Sequence, residues 1–167
     1  MKAAVTALHD AGVVQGRRGS LTFFRWATGT PPRLAHLGAW GPKVDNAALA
    51  GVAALPDLEH VSLYETGVDD AGLAPVAKLP KLRALAVTPV VRYEKPGFGP
   101  PQWSYPFLTE RADRPRITVA GLRPFAAAQG LESLDLLDAR LVPADLAILA
   151  GWPKLGAVAL PTPVDAE

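Results

Sequence analysis

Leu58, Val61 and Leu63 form a short apolar ladder with polar residues between them, and the ladder returns 24 residues later as Leu82, Leu85 and Val87. Upstream it reads Leu34, Leu37 and Ala39, and downstream Leu131, Leu134 and Leu136, then Leu155, Val158 and Leu160. The last two members of each copy are two residues apart, the period at which side chains share one face of a strand. Five strands are therefore expected near 34–39, 58–63, 82–87, 131–136 and 155–160, all parallel. Behind each ladder runs a second apolar set with helical spacing: Val44, Leu49, Val52 and Leu55, then Val68, Leu73, Val76 and Leu79, and later Leu141, Leu146, Leu149 and Trp152. Pro56, Pro80 and Pro153 stop these segments, because proline lacks a backbone donor. Pro75 and Pro124 align with one another, which predicts that the helix starts near them. A 24-residue unit cannot bury its apolar face alone, so successive units must stack and share one core. Leu58, Val61, Leu63, Leu73, Val76, Leu82, Leu85, Leu134, Leu136 and Leu146 are its expected members.

The run G-V-D-D-A-G-L at 67–73 is similar to the V-T-D-A-G-L turn of bacterial leucine-rich repeats that carry a helix on the convex side. The resemblance covers roughly residues 31–165 and implies an α/β leucine-rich repeat solenoid of about five 24-residue repeats with a parallel concave sheet. The family's polar residue after the strand survives only as Thr66, with Pro42 and Ala139 at the matching places. The hydrogen-bonded ladder between coils is thus expected to be incomplete.

Two stretches lie outside the period. In the first 30 residues, Ala4, Leu8 and Ala11 share a helical face over 2–11, and two short strands are expected around the turn from Gly16 to Gly19. This region is expected to cap the first unit of a solenoid spanning 31–167, with Phe23, Phe24 and Trp26 supplying the cover. The second is an insertion over 88–116, where Leu85 and Leu134 stand 49 residues apart instead of 24. Its prolines and glycines exclude a long helix, whereas Tyr93, Phe98, Trp103, Tyr105 and Phe107 are too many aromatics for an unfolded tether. At least two of them are expected to bury against the solenoid, where Ala84, Ala86, Ala157 and Ala159 leave room.

Composition narrows the function classes. The net charge is +1, and 49% of the residues are apolar. The basic cluster Lys2, Arg17, Arg18, Arg25 and Arg33 reads as a solvated domain end, so no nucleic-acid partner is expected. No cysteine is present, which removes thiolate chemistry and disulfides and is compatible with a reducing, cytoplasmic location. Neither a signal peptide nor a membrane-spanning run is expected.

Strand alternation sends His36, Gly38 and Trp40, and then His60, Ser62 and Tyr64, out from the concave sheet. Ser62, His60 and Asp135 contain the residue types of a catalytic triad, but two-residue and two-strand separations of about 7 and 10 Å prevent relayed hydrogen bonds. His36 and His60 stand side by side and lack a third metal ligand, so a stacked pair is expected. Asp69 and Asp70 read as capping and dipole partners of the short helix. No cofactor, metal or catalytic residue is expected. The resemblance implies a non-enzymatic module that binds a protein partner through His36, Trp40, His60, Tyr64, Tyr93, Trp103 and Tyr105. The alternative is a small-molecule or catalytic pocket between the insertion and the Trp40/Tyr64 face.

Overall fold

The computed structural model describes residues 21–27, 33–88, 117–137 and 139–160. They form an α/β fold around one six-stranded sheet whose strands lie in chain order. Strand β1 (Leu21–Ala27) runs antiparallel to β2 (Arg33–Trp40). Strands β2, β3 (His60–Tyr64), β4 (Ala84–Thr88), β5 (Ser133–Asp135) and β6 (Ala157–Ala159) are mutually parallel. The register repeats the sequence period: Leu37 pairs with Val61, Val61 with Leu85, Leu85 with Leu134, and Leu134 with Val158.

Helical turns connect the parallel strands. Helices α1 (Asn46–Leu49), α2 (Asp70–Leu73) and α3 (Val119–Leu122) are each one turn long. They are followed by 3-10 turns at Val52–Ala54, Val76–Lys78 and Arg123–Ala127, while the last connection, Pro143–Gly151, is 3-10 throughout. Inward residues of strands and helices form one continuous cluster that includes Leu58, Leu63, Leu73, Leu85, Phe125 and Leu134. Burial of each such side chain is worth about 1.5–3 kcal/mol, and this holds helices too short to persist alone.

Three sequence expectations are corrected. Strands β3 to β6 begin two residues later than the apolar ladder suggests, whereas β2 starts at Arg33, one residue ahead of it. Leu58, Leu82, Leu131 and Leu155 donate their backbone N–H groups to Leu55, Leu79, Ala128 and Trp152, closing the turn that precedes the strand. Leu58 and Leu131 are fully buried there, so the periodicity reported burial and not ladder pairing. The helices begin before the prolines. Asp69 and Thr118 cap α2 and α3 a full turn upstream, and Pro75 and Pro124 sit at the start of the following 3-10 turns. Leu146 is only half-buried, because its unit is last in the sheet; the equivalent Leu49, Leu73 and Leu122 are fully enclosed.

The expected gap in the ladder between units is filled one turn further on. Asn46 donates from Nδ2 to Asp69 Oδ1 at 2.7 Å, and its Oδ1 accepts from Asp69 N at 3.1 Å. In the next unit Asp70 accepts from Thr118 N at 2.7 Å and from Thr118 Oγ1 at 2.5 Å. The first helical residue of one unit thus clasps the helix cap of the next, and Asp70, in the first turn of α2, is an inter-unit clasp as well as a dipole partner. A Cβ on Gly72 would collide with Asn46 Oδ1, and one on Gly121 with Asp70 Oδ1, so a residue without a side chain is needed under each clasp.

Asp69 also caps its own helix, accepting from Ala71 N at 2.8 Å and Gly72 N at 3.4 Å. The Asn46 hydrogen bond, with these two amides, holds its carboxyl below the ordinary carboxylate value against an opposing contribution from burial. A depressed folded-state pKa contributes stability above the unfolded pKa of about 3.9, which is lost as pH falls through the folded value. Unfolding free energy should therefore decline below about pH 4, and Asp69→Asn should flatten that decline. Urea titrations at several acidic pH values check this, and equal acid sensitivity in both proteins would refute it.

At the N-terminal edge, Phe24 pairs with Leu37, Phe23 with Gly38 and Arg25 with His36, with a bulge between Arg25 and Trp26. The expected strand before β1, the helix over 2–11 and the side chains of Phe23, Phe24 and Trp26 lie outside what is described. So do residues 89–116 with Tyr93, Phe98, Trp103, Tyr105 and Phe107, and with them the expected burial of the insertion. The chain continues at Ile117, which forms a parallel bridge with Ala139. Among the described residues, no helix is long and apolar enough to cross a membrane.

Candidate binding face

The outward positions of β2 to β4 form a grid set by the register. His36, His60 and Ala84 lie in one row, Gly38, Ser62 and Ala86 in the next, and Trp40, Tyr64 and Thr88 in the third. His36 and His60 stack with ring centroids 5.6 Å apart and planes inclined by 26°, as expected of equal side chains on neighbouring parallel strands. His60 is exposed and His36 half-buried. Between the outer rows Gly38 and Ser62 are buried, with Ser62 at 9% exposure. The stacked imidazoles therefore flank this buried row on one side, and the row of Tyr64 flanks it on the other. Tyr64 is half-buried, and Trp40 holds the register position beside it. The side chain of Trp40 lies outside what is described, as do the predicted partner-binding Tyr93, Trp103 and Tyr105.

The chain leaves this face through a tight bend. Gly41 and the equivalent Glu65 both adopt positive φ, at 104° and 51°. Gly41 N donates to Tyr64 O at 2.9 Å and Glu65 N to Thr88 O at 3.1 Å, which extends the strand pairing past the third row. At the opposite end of the strands, Glu59, Arg83 and Glu132 occupy one position in three successive units. Arg83 donates to Glu132 from Nε at 3.0 Å and Nη2 at 2.8 Å. That bond raises the Arg83 pKa and lowers that of Glu132, to which Lys154 and His60 add a smaller lowering. Lys81 and Asp57 make a similar contact at 2.6 Å. These pairs are solvent-screened and contribute little to stability, but they order the rim of the face.

The geometry gives the face few routes to catalysis. Ser62 Oγ lies 3.5 Å from His36 Nε2, while His60 stands two residues away on Ser62's own strand. Asp135 is in register with Ser62 only through the intervening Ala86, a separation of about 10 Å at ordinary strand spacing. Among the described residues, no three His, Cys, Asp or Glu side chains are placed to hold a metal ion. A feature that sequence reading missed lies elsewhere, in a groove of about 590 Å³ between the 3-10 turns of the second and third units. Ala74, Ala77, Pro124, Ala127 and Ala128 line it, with Lys78 at its edge. Its small apolar side chains supply no acid, base or nucleophile, and the alanines at 74, 77, 127 and 128 were its only trace in the sequence. Searched against protein-family models and curated proteins, the chain matches none.

Proposed function

We propose that the chain is a leucine-rich repeat solenoid of the bacterial type that acts in the cytoplasm as a non-enzymatic module and binds a protein partner on its concave sheet. The repeat reading is supported by a strand register that follows the sequence period across all five parallel strands. The binding reading rests on one observation: the stacked His36–His60 pair, Ser62 and Tyr64 lie side by side on one face of the sheet. Aromatic side chains grouped on one face suit the anchors that dominate protein interfaces. Trp40, Tyr93, Trp103 and Tyr105 extend the same surface in this reading.

The test is binding by the double variant Trp40→Ala/Tyr64→Ala to a partner first captured with the unaltered chain. Loss of about 2 kcal/mol of binding free energy or more is expected, with an unchanged melting temperature. A lower melting temperature with undiminished affinity would assign both side chains to internal packing and overturn the proposal.

A further inference from the structure

The residues of the binding face that can carry positive charge are gathered in one row. Arg25 is in register with His36, and His36 with His60, so the three follow one another across β1, β2 and β3. The imidazoles stack with ring centroids 5.6 Å apart, and the next position in the row is Ala84, too short to cover the exposed His60 ring. Ser62 places one ring edge: its Oγ lies 3.5 Å from His36 Nε2 and brings that nitrogen against the buried second row. None of the outward positions of β2, β3 and β4 bears a carboxylate. The acidic groups around the row are engaged elsewhere. Two bonds from Arg83 hold Glu132, and beside that lowering of its pKa the contribution of His60 is the smallest. Glu59 adds to the effect of Glu132 in raising the Arg83 pKa, and Asp135 on β5 accepts from Leu137 N at 3.3 Å.

We propose that this row is a carboxylate site, to which a protein partner presents an acidic segment. The inference rests on the reading of the sheet as a binding face and names the chemistry that the face selects. Two imidazolium charges this close repel one another, so full protonation of the pair calls for an anion beside the rings. A carboxylate supplies it. Its two oxygens can accept one N–H from each ring, with the Ser62 hydroxyl as a further donor, and bonds of this charged kind are the strong ones. Imidazole changes charge between about pH 5 and 8, so the anion is held more tightly as pH falls, and the rings take up protons as it binds. Arg25 keeps a positive charge at one end of the row throughout that range. A segment rich in lysine or arginine is repelled by the same three residues.

The probes are acetyl-hexaglutamate amide, the matching hexaglutamine peptide and an oligothymidylate. Each is titrated into the full chain at about pH 6 and about pH 8, followed by the ring signals of His36 and His60 in heteronuclear NMR. Hexaglutamate should shift both rings and bind at least about tenfold more tightly at the lower pH; hexaglutamine should shift neither. His60→Gln should weaken binding at about pH 6 and remove the pH preference, with circular dichroism unchanged because His60 is exposed. Hexaglutamate that leaves both rings unmoved overturns the proposal. So does a His60→Gln chain with unaltered affinity and pH preference. Rings that answer to oligothymidylate in place of hexaglutamate overturn it too, and give the row to a phosphate backbone. The readout needs no captured partner. Failure here therefore leaves the Trp40/Tyr64 test of the binding face standing, and failure there leaves the ring signals to be read on their own.

Discussion

Phe125→Ala should lower the unfolding free energy by about 3–5 kcal/mol, since truncation of a fully buried aromatic forfeits its transfer energy and leaves a cavity. Phe125 is 1% exposed and fills a position where the earlier units carry the smaller Val52 and Val76. Its carbonyl accepts the indole N–H of Trp152 at 2.7 Å, a buried bond that ties the last unit to the one before. A void under that carbonyl lets the 3-10 turn shift and weakens the tie. Small domains have total stabilities of about 5–15 kcal/mol, so the variant should be partly unfolded under mild denaturant. Urea unfolding followed by Trp fluorescence checks it, and a loss below about 1 kcal/mol would mean that Phe125 is not a packing keystone.

Alanine in place of Gly121 and of Gly151 should have effects of opposite sign. On chain entropy alone both changes favour the folded state, by about 0.4–1 kcal/mol. At Gly151 nothing lies within 4 Å of the new Cβ, so that gain should appear in full. At Gly121 the Cβ runs into the Asp70 carboxylate, and Asp70 Cα is only 3.0 Å away, so rotation of the side chain cannot relieve the clash. The two bonds from Asp70 to Thr118 are lost or bent, and bonds to a charged group are worth about 1.5–3 kcal/mol each. The clash outweighs the entropy, and Gly121→Ala should destabilise by about 1–3 kcal/mol net. Parallel urea titrations decide it; equal shifts in one direction would remove the clasp from the account of stability.

The sequence disclosed the sheet because burial imposes a period. Leu58, Val61 and Leu63 and their counterparts had to be apolar whichever neighbours they met, so the number, order and register of the parallel strands could be read before any contact was known. The antiparallel β1 in the same sheet could not. Backbone detail was less visible. Leu58 is as buried as Leu63, and hydropathy cannot tell a residue closing a turn from one in the ladder. The clasps were hidden for a different reason: Asp70 and Thr118 are separated by 48 residues and the insertion. The pattern D-A-G-L at 70–73 against V-A-G-L at 119–122 did mark the glycine they require. On the binding face, the neighbouring positions of His36 and His60 followed from the period alone. The 3.5 Å contact between Ser62 and His36 needed coordinates, because rotamers decide it.

The two edges of the sheet also set an order of events. A strand runs antiparallel along β2 at one edge, while at the other β6 has three residues, half-exposed packing around it and no inter-unit clasp, since Val119 and Val142 stand where Asp70 and Thr118 do in the pair before. In a stack of units joined to nearest neighbours, opening starts where the fewest bonds must break. A single chain should therefore unravel from residue 160 backwards. Amides of β6 would exchange first and those of β3 last, which makes the fold a zipper with one fixed end.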